Sequence, residues 1–407
     1  MIRSFKNLFP QKLKNLKHFL VAVLAYFAHG RPSKNLYVIG VTGTDGKTTT
    51  VELIYHLLSS AGHKVAKVST LGAKIGQKEI PIGFHTTTPS SWAIQRLMKE
   101  AVNQGVKFFI LEATSIGLDQ FRLLKCNFRV AVITNISKEH LDYHRSYDKY
   151  LKAKSSLFKN ARYAVLNYDD ESFRPLTKVI KEAMTSTLSY GLKKGAYLTP
   201  KSFYFQTKLI GEFNQYNVLA AVAVAKIFEV KNTIIRKALL LFESPRGRLE
   251  EIKAGQKFKV FVDFAHTPAA IKQALLTVKK LTKGKVIHVF GCTGDRDKNK
   301  RPKMGNVSGK LADMIFLTHE DTYRENPLKI IESIEPGVKN SGKILGQNYW
   351  KEPDRKLAIK KAINKAGQDD TVLITGVGHQ VSLNIGGKEV PWSDQEIAQK
   401  AIKARQS

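Results

Sequence analysis

The segment Val38 to Ile54, VIGVTGTDGKTTTVELI, sets two glycines, a lysine and a run of threonines between an apolar stretch and an amphipathic one. Gly43 and Gly46 allow a tight turn whose backbone N–H groups meet phosphate oxygens, and a helix starting at Lys47 aims its N-terminus at the same point. In that arrangement Lys47 neutralises the outer phosphates and the Thr48 hydroxyl ligates magnesium. A strict G-x-x-x-x-G-K-T pattern wants glycine where Val41 stands, but Gly40 lets the turn begin one residue earlier. A glycine turn joining strand to helix is the plain alternative, and the strand, loop and helix context favours the phosphate loop.

Other side chains have two readings by type alone. Glu112, closing the apolar run KFFILE, is either a loop acid or a strand-end magnesium ligand of the Walker-B kind. His140 reads as a polar group at a turn and Lys154 as a solvated helix lysine. Asn214 and Asn217 read as a turn and a helix cap.

The elements that must position these groups alternate along the chain. Runs such as LYVIGVTG, KFFILEAT, RVAVITN and YAVLNYDD have the length and β-branched content of buried strands, whereas TTTVELIYHLLSSAG and FNQYNVLAAVAVAKIF have helical spacing. A second strand–helix series follows ESPRGRLEEI, from KVFVDFAHT to DTVLITGVG. The expected class is α/β, with a central P-loop ATPase domain on a mostly parallel sheet followed by a Rossmann-like C-terminal domain. Pro245 to Gly247 is the expected hinge. The predicted division is a basic helical segment over 1–35, a central ATP-binding domain over 36–246 and a C-terminal domain over 247–407.

The chain has 407 residues, 43% hydrophobic and 25% charged, enough for two or three substantial cores. Its longest apolar run, Phe19 to Ala28, is shorter than the roughly 18 residues a membrane span needs. The basic leader before it resembles a signal peptide, but an ATP-using enzyme belongs where ATP is, so a cytoplasmic location is expected. The same pattern suits an amphipathic helix packed on the first domain, or a weak membrane-surface contact. Cys126 and Cys292 form no metal-binding pattern and read as reduced core thiols. The formal charge of +32 raises a nucleic-acid-binding ATPase as an alternative class, but the lysines are dispersed and no aromatic platform interleaves them.

GVTGTDGKTTT resembles the ATP loop of the Mur ligases, the ATP-dependent amide-forming enzymes of peptidoglycan assembly, and within that family the branch adding the third residue to UDP-MurNAc-dipeptide. The resemblance implies ATP contacts from Gly43, Thr44, Asp45, Gly46, Lys47, Thr48 and Thr49, with Asp45 standing where the family usually has asparagine. FHTTTPSS is similar to the family's acceptor loop, giving Thr87 and Thr88 to the muramyl peptide. LEATSIGLDQFRL is similar to the segment in which Glu112 ligates magnesium and Thr114, Gln120 and Arg122 face the sugar nucleotide; Ile116 replaces the family's histidine. In TNISKEHLDYHRSYDKYLKAKSSLF, His140 falls on the second-magnesium ligand and Lys154 on the carbamylated lysine.

The resemblance continues through IGEFNQYNVLAAVAVA, with Asn214 and Asn217 on the ATP side. PRGRLE and VDFAHTPAA resemble the start of the C-terminal domain, with Arg248, Asp263 and His266 facing ATP. VFGCTGDRDKNKRPKMG is similar to the family's glycine-rich acidic turn, in which Arg296 holds the incoming amino acid's carboxylate by its planar fork. DTYR and GVGHQ stand at the family's diaminopimelate-reading stretches, assigning Asp321, Arg324, Gly376 and Gln380 to the amino acid. Gln380 is neutral where those members carry a carboxylate.

The implied chemistry uses ATP, two Mg2+ ions, a UDP-linked muramyl dipeptide and an amino acid. The acceptor carboxylate attacks the γ-phosphate, and the amine then attacks the resulting acyl phosphate; no nucleic-acid partner is expected. Family members carry a uridine-gripping domain ahead of the ATP loop, where this chain has about 35 residues. The expectation is therefore a different hold on the nucleotide, a partner supplying that domain, or an acceptor without UDP. Folylpolyglutamate synthetase, which also lacks the domain, is the alternative ligase reading.

Overall fold

The computed structural model describes residues 11–83, 86–137, 139 and 141–406. Two compact units divide the chain, the first over Met1–Leu209 with Phe213–Glu243 and the second over Ile210–Glu212 with Ser244–Ser407.

The first unit is built on an eight-stranded sheet in the order Lys78–Ile80, Gly72–Ile75, Val65–Ser69, Phe108–Glu112, Tyr37–Thr42, Phe128–Ile133, Tyr163–Asn167 and Ser186–Tyr190. All neighbouring pairs from Val65–Ser69 onward are parallel, and the two strands before it return antiparallel as a short meander. Every residue of Phe108–Glu112 is buried, as a central strand covered by helices on both faces requires. The two cores lie on opposite sides of this sheet. One gathers Val51, Leu57, Ile110 and Val132 under helix Glu212–Ile227, and the other gathers Val38, Met98, Phe109 and Leu166 under helix Ser91–Asn103.

Helix Gln11–Ala28, from the basic leader, lies along helix Ser91–Asn103, with Ala22, Ala25 and Tyr26 buried. No described helix is long and apolar enough to cross a membrane. Both cysteines are free and buried, and burial raises both thiol pKa values, so neither is a ready thiolate.

The second unit has a six-stranded sheet, ordered Tyr349–Lys351, Met314–Leu317, Val286–Phe290, Thr371–Thr375, Lys259–Asp263 and Glu250–Glu251. Only the last strand runs antiparallel to its neighbour. The loops leaving the parallel strands Lys259–Asp263, Val286–Phe290, Met314–Leu317 and Thr371–Thr375 therefore collect at one end, the usual ligand crevice of an open α/β sheet.

Candidate nucleotide and acceptor site

Strand Tyr37–Thr42 runs into the glycine loop, and helix Lys47–Ser60 leaves it. Gly46 caps that helix at φ 81°, a left-handed conformation that glycine adopts without strain. A side chain at Gly46 would overlap the Asn217 amide oxygen, and one at Gly43 would overlap the Thr134 hydroxyl. Both glycines are therefore dictated by close approach as well as by the turn.

The loop backbone is fixed from the adjacent strand end. Thr44 N donates to Asn135 O at 2.8 Å and Asp45 N to the Asn135 side chain at 2.9 Å, while Thr134 Oγ1 donates to Asp45 O at 2.6 Å. Lys47 Nζ folds back to donate to Thr44 O at 2.7 Å, which puts its charge over the cradle.

Glu112 closes the neighbouring strand, paired so that Val41 lies opposite it. Its buried carboxylate accepts from Thr48 Oγ1 at 3.0 and 3.1 Å and from Thr70 N and Oγ1 at 2.8 and 2.9 Å. The hydroxyl and the carboxylate, both hard oxygen donors, fit Mg2+, which keeps several waters and phosphate oxygens in its shell. Among the described residues no cluster of three His, Cys, Asp or Glu side chains could hold a metal by itself. His140 lies outside the described residues.

Lys154 is not a solvated helix lysine. It is 1% exposed, and its Nζ donates to Gly43 O at 2.6 Å and lies over the Tyr150 ring at 4.7 Å. Burial, followed by the Lys47 charge, holds its pKa well below the usual ammonium range. Tyr150 ties the same helix to the loop, its hydroxyl 3.1 Å from Thr44 Oγ1.

A second layer of groups adjoins Glu112 on the chain's other side. Thr88 Oγ1 donates to the Glu112 carbonyl at 2.9 Å and accepts from Thr114 N and Oγ1 at 2.9 and 3.0 Å. Arg122 donates to Thr88 O at 2.7 Å and to Gln120 Oε1 at 2.7 and 3.0 Å. The Thr87 and Thr70 hydroxyl oxygens lie 3.1 Å apart. Thr87, Thr88, Thr114, Gln120 and Arg122 thus form one connected patch beside the phosphate loop. Asn214 and Asn217 are buried and bonded to each other at 2.9 Å, Asn217 also accepting from Thr50 Oγ1 at 3.4 Å. Thr49 is buried on the first turn of the loop's helix.

In the second unit, Arg248 lies over the Phe264 ring at 4.7 Å, and Asp263 accepts from Leu249 N and Ala265 N, each at 2.7 Å. His266 Nδ1 is 2.9 Å from Phe264 O, and Lys300 donates to His266 O at 2.9 Å. The turn carrying Arg296 is bonded to the next strand's loop through Gly294 N to Asp321 O at 2.7 Å, and Arg296 lies 5.9 Å from the Tyr323 ring. Arg296 and Arg324 are exposed on these adjoining loops, whereas Asp321 is buried and accepts from Asn384 N at 2.8 Å. Gln380 donates its backbone N–H to Val377 O at 3.2 Å.

Sequence reasoning missed three groups. Thr70 is one. Arg301, within the basic stretch RDKNKRPK, is wholly buried and pairs in bidentate fashion with Glu325 at 2.8 Å, holding the Glu325 carboxyl down to about 2. Glu320, just before DTYR, is buried against Gly376 with one oxygen accepting from Thr293 Oγ1 at 2.6 Å and the other without a hydrogen-bond partner; burial pushes its pKa up to about 7.

A glycine cradle with a lysine over it, backed by a hydroxyl–carboxylate pair at a strand end, defines a P-loop enzyme acting on a nucleoside triphosphate. The chain matches the Mur ligase middle domain over residues 41–225 and the Mur ligase glutamate ligase domain over 247–378. It is 37% identical over 413 residues to the UDP-N-acetylmuramoyl-L-alanyl-D-glutamate–2,6-diaminopimelate ligase of Geobacillus thermodenitrificans, covering 95% of this chain and 82% of that one. A solved structure of a ligase of that name superposes with a TM-score of 0.65 at 30% identity, over 97% of this chain and 83% of that one. A Mycobacterium tuberculosis folylpolyglutamate synthase shares the fold, with a TM-score of 0.70 at 17% identity over 89% and 96% of the two chains. The chain belongs to the Mur ligase family and is an ATP-dependent ligase.

Proposed function

We propose that this ligase joins an amino acid to the terminal carboxylate of UDP-MurNAc-dipeptide, in peptidoglycan synthesis, with Mg2+ and through an acyl phosphate. One residue carries the reading. The Glu112 carboxylate faces Thr48 in the phosphate loop while its carbonyl accepts from Thr88, so the nucleotide side and the acceptor patch share a single strand end. An acceptor held by Thr87, Thr88, Gln120 and Arg122 lies beside the phosphates that must react with it. The Geobacillus thermodenitrificans relative and the solved structure of the same name carry this acceptor in their names.

Bound Mg·ATP supplies the phosphoryl group that makes the acceptor carboxylate a good acylating agent. The backbone N–H groups at the helix start, Gly46 and Lys47, and the Lys47 ammonium would stabilise charge on the phosphates as the group transfers, while the Thr44 and Asp45 N–H groups hold the loop to Asn135. Thr48 and Glu112 hold the metal, with His140 and Lys154 assigned to a second ion. Lys154 can serve only after its amine has become a carbamate, and the depressed pKa favours the neutral amine that reacts with CO2. Asn214, Asn217, Arg248, Asp263 and His266 are assigned to the nucleotide. Arg296, with its exposed planar fork, receives the carboxylate of the incoming amino acid, and Asp321, Arg324 and Gly376 are assigned to the rest of that amino acid. Gln380 offers no charge to a distal ammonium, which removes a charge-assisted bond worth roughly 1.5–3 kcal/mol.

An amino-acid screen tests this reading. With ATP, Mg2+ and UDP-MurNAc-dipeptide present, phosphate release should depend on adding an amino acid, with 2,6-diaminopimelate and lysine the first two compared. Release that needs a folate in place of the muramyl acceptor, or that DNA or RNA stimulates equally, would overturn it.

A further inference from the structure

We propose that the outer face of helix Gln11–Ala28 docks on an anionic lipid surface, the helix lying in the plane of the interface. Leu16, Leu20, Leu24 and Phe27 are spaced four, four and three residues apart and so form one stripe. They are 55%, 54%, 65% and 53% exposed, an unusual density of large apolar side chains on the solvent face of a helix. The opposite face is anchored: Ala22, Ala25 and Tyr26 are buried, Asn15 donates to Asp119 at 3.2 Å, and Phe19 meets Phe121 edge to face at 5.6 Å. The stripe is therefore presented by a helix that is itself fixed.

Its border is cationic and aromatic. Lys17 is exposed within it, Arg31 lies over the Phe27 ring at 4.7 Å, and Trp92, 48% exposed, meets His29 at 4.9 Å. Arg96 and Lys99 are exposed on the helix that begins beside Trp92. The nearby acids are engaged, Glu100 by Lys78 at 3.0 Å and Asp119 by Asn15 and Tyr143, and the sequence has no acid before Asp45. Apolar side chains ringed by an indole and by long cations match the interface of a bilayer bearing negative headgroups. A second copy would oppose basic face to basic face between chains of net charge +32, and a polynucleotide would leave the stripe in water.

The full chain is sedimented with vesicles of phosphatidylcholine alone and of phosphatidylcholine mixed with phosphatidylglycerol. The proposal expects binding to the mixed vesicles, weakened by salt, and little to the neutral ones. Leu20→Ser with Leu24→Ser, which leaves the charge unaltered, should reduce that binding about tenfold or more, because each leucine loses its apolar contact, while ATP-dependent turnover and circular dichroism stay unchanged. Absence of vesicle binding would overturn the proposal. So would undiminished binding by the double variant, which would mean adsorption by charge alone. A change in sedimentation velocity from dimer to monomer caused by the double variant without lipid would instead assign the face to a second copy.

Discussion

Lys154 Nζ donates to the Gly43 carbonyl at 2.6 Å, joining a buried helix lysine to the first glycine of the phosphate loop. A lysine in that place brings an amine to the phosphate site, and conversion to a carbamate would replace it with a carboxylate on a long arm. The N–C bond to CO2 forms on the neutral amine, with loss of a proton, and burial, which lowers the amine's pKa, favours that neutral form.

Lys154→Ala should lower ligation by more than roughly a hundredfold, the scale of losing one preorganised electrostatic group. Acetate should restore part of it, and depleting CO2 should reversibly slow the unaltered enzyme. Steady-state rates measure all three. Full activity in Lys154→Ala would show that the lysine only braces the loop.

Glu112→Gln keeps an acceptor for Thr70 and can turn its amide toward the Thr48 hydroxyl, so the fold should survive. Turnover should fall roughly a hundredfold or more, and the Mg2+ concentration for half-maximal rate should rise. A magnesium titration at saturating ATP reads both. An unchanged magnesium requirement would remove Glu112 from the metal site.

Gly46→Ala adds a methyl to a residue at φ 81° and into the Asn217 amide oxygen. The expected loss is about 1–3 kcal/mol in urea unfolding. Asn217→Ala in the same background should recover the overlap part, so the two substitutions together should cost less than their sum. Strict additivity would show that the backbone conformation alone is responsible.

Glu320 gives a pH dependence of defined sign. Its folded pKa of about 7 lies above its ordinary value of 4.5, so the folded state binds the extra proton. Its contribution to stability is complete below pH 4.5 and is lost as pH rises through about 7. Glu320→Gln should flatten that fall and leave the variant more stable than the parent above pH 7, by up to roughly 2–3 kcal/mol. Unfolding midpoints at several pH values test it, and parallel profiles would contradict it.

The phosphate loop was legible because glycine, lysine and threonine in one short stretch have a joint use that none has alone. The alternation of apolar runs likewise foretold two α/β sheets. Thr70 was not legible: it reaches Glu112 only because Val65–Ser69 pairs beside Phe108–Glu112, a relation set by sheet order and not by local spacing. The burial of Lys154 depends on a contact 111 positions away, so residue type pointed to solvent where packing decided otherwise. Arg301 hid in a basic stretch whose other members are mostly exposed. Glu320 was overlooked beside Asp321, although Asp321 spends its carboxylate on the Asn384 backbone and Glu320 is the acid with an unpaired oxygen.

The most direct measurement is the mass of the product formed from UDP-MurNAc-dipeptide, ATP, Mg2+ and an amino acid, read together with ADP release. Ligation through an acyl phosphate yields a species heavier than the acceptor by the amino acid less one water, formed in equal amount to ADP and lost in Lys47→Ala. Steady ADP release with no such species, or a product built on a folate acceptor, would contradict it.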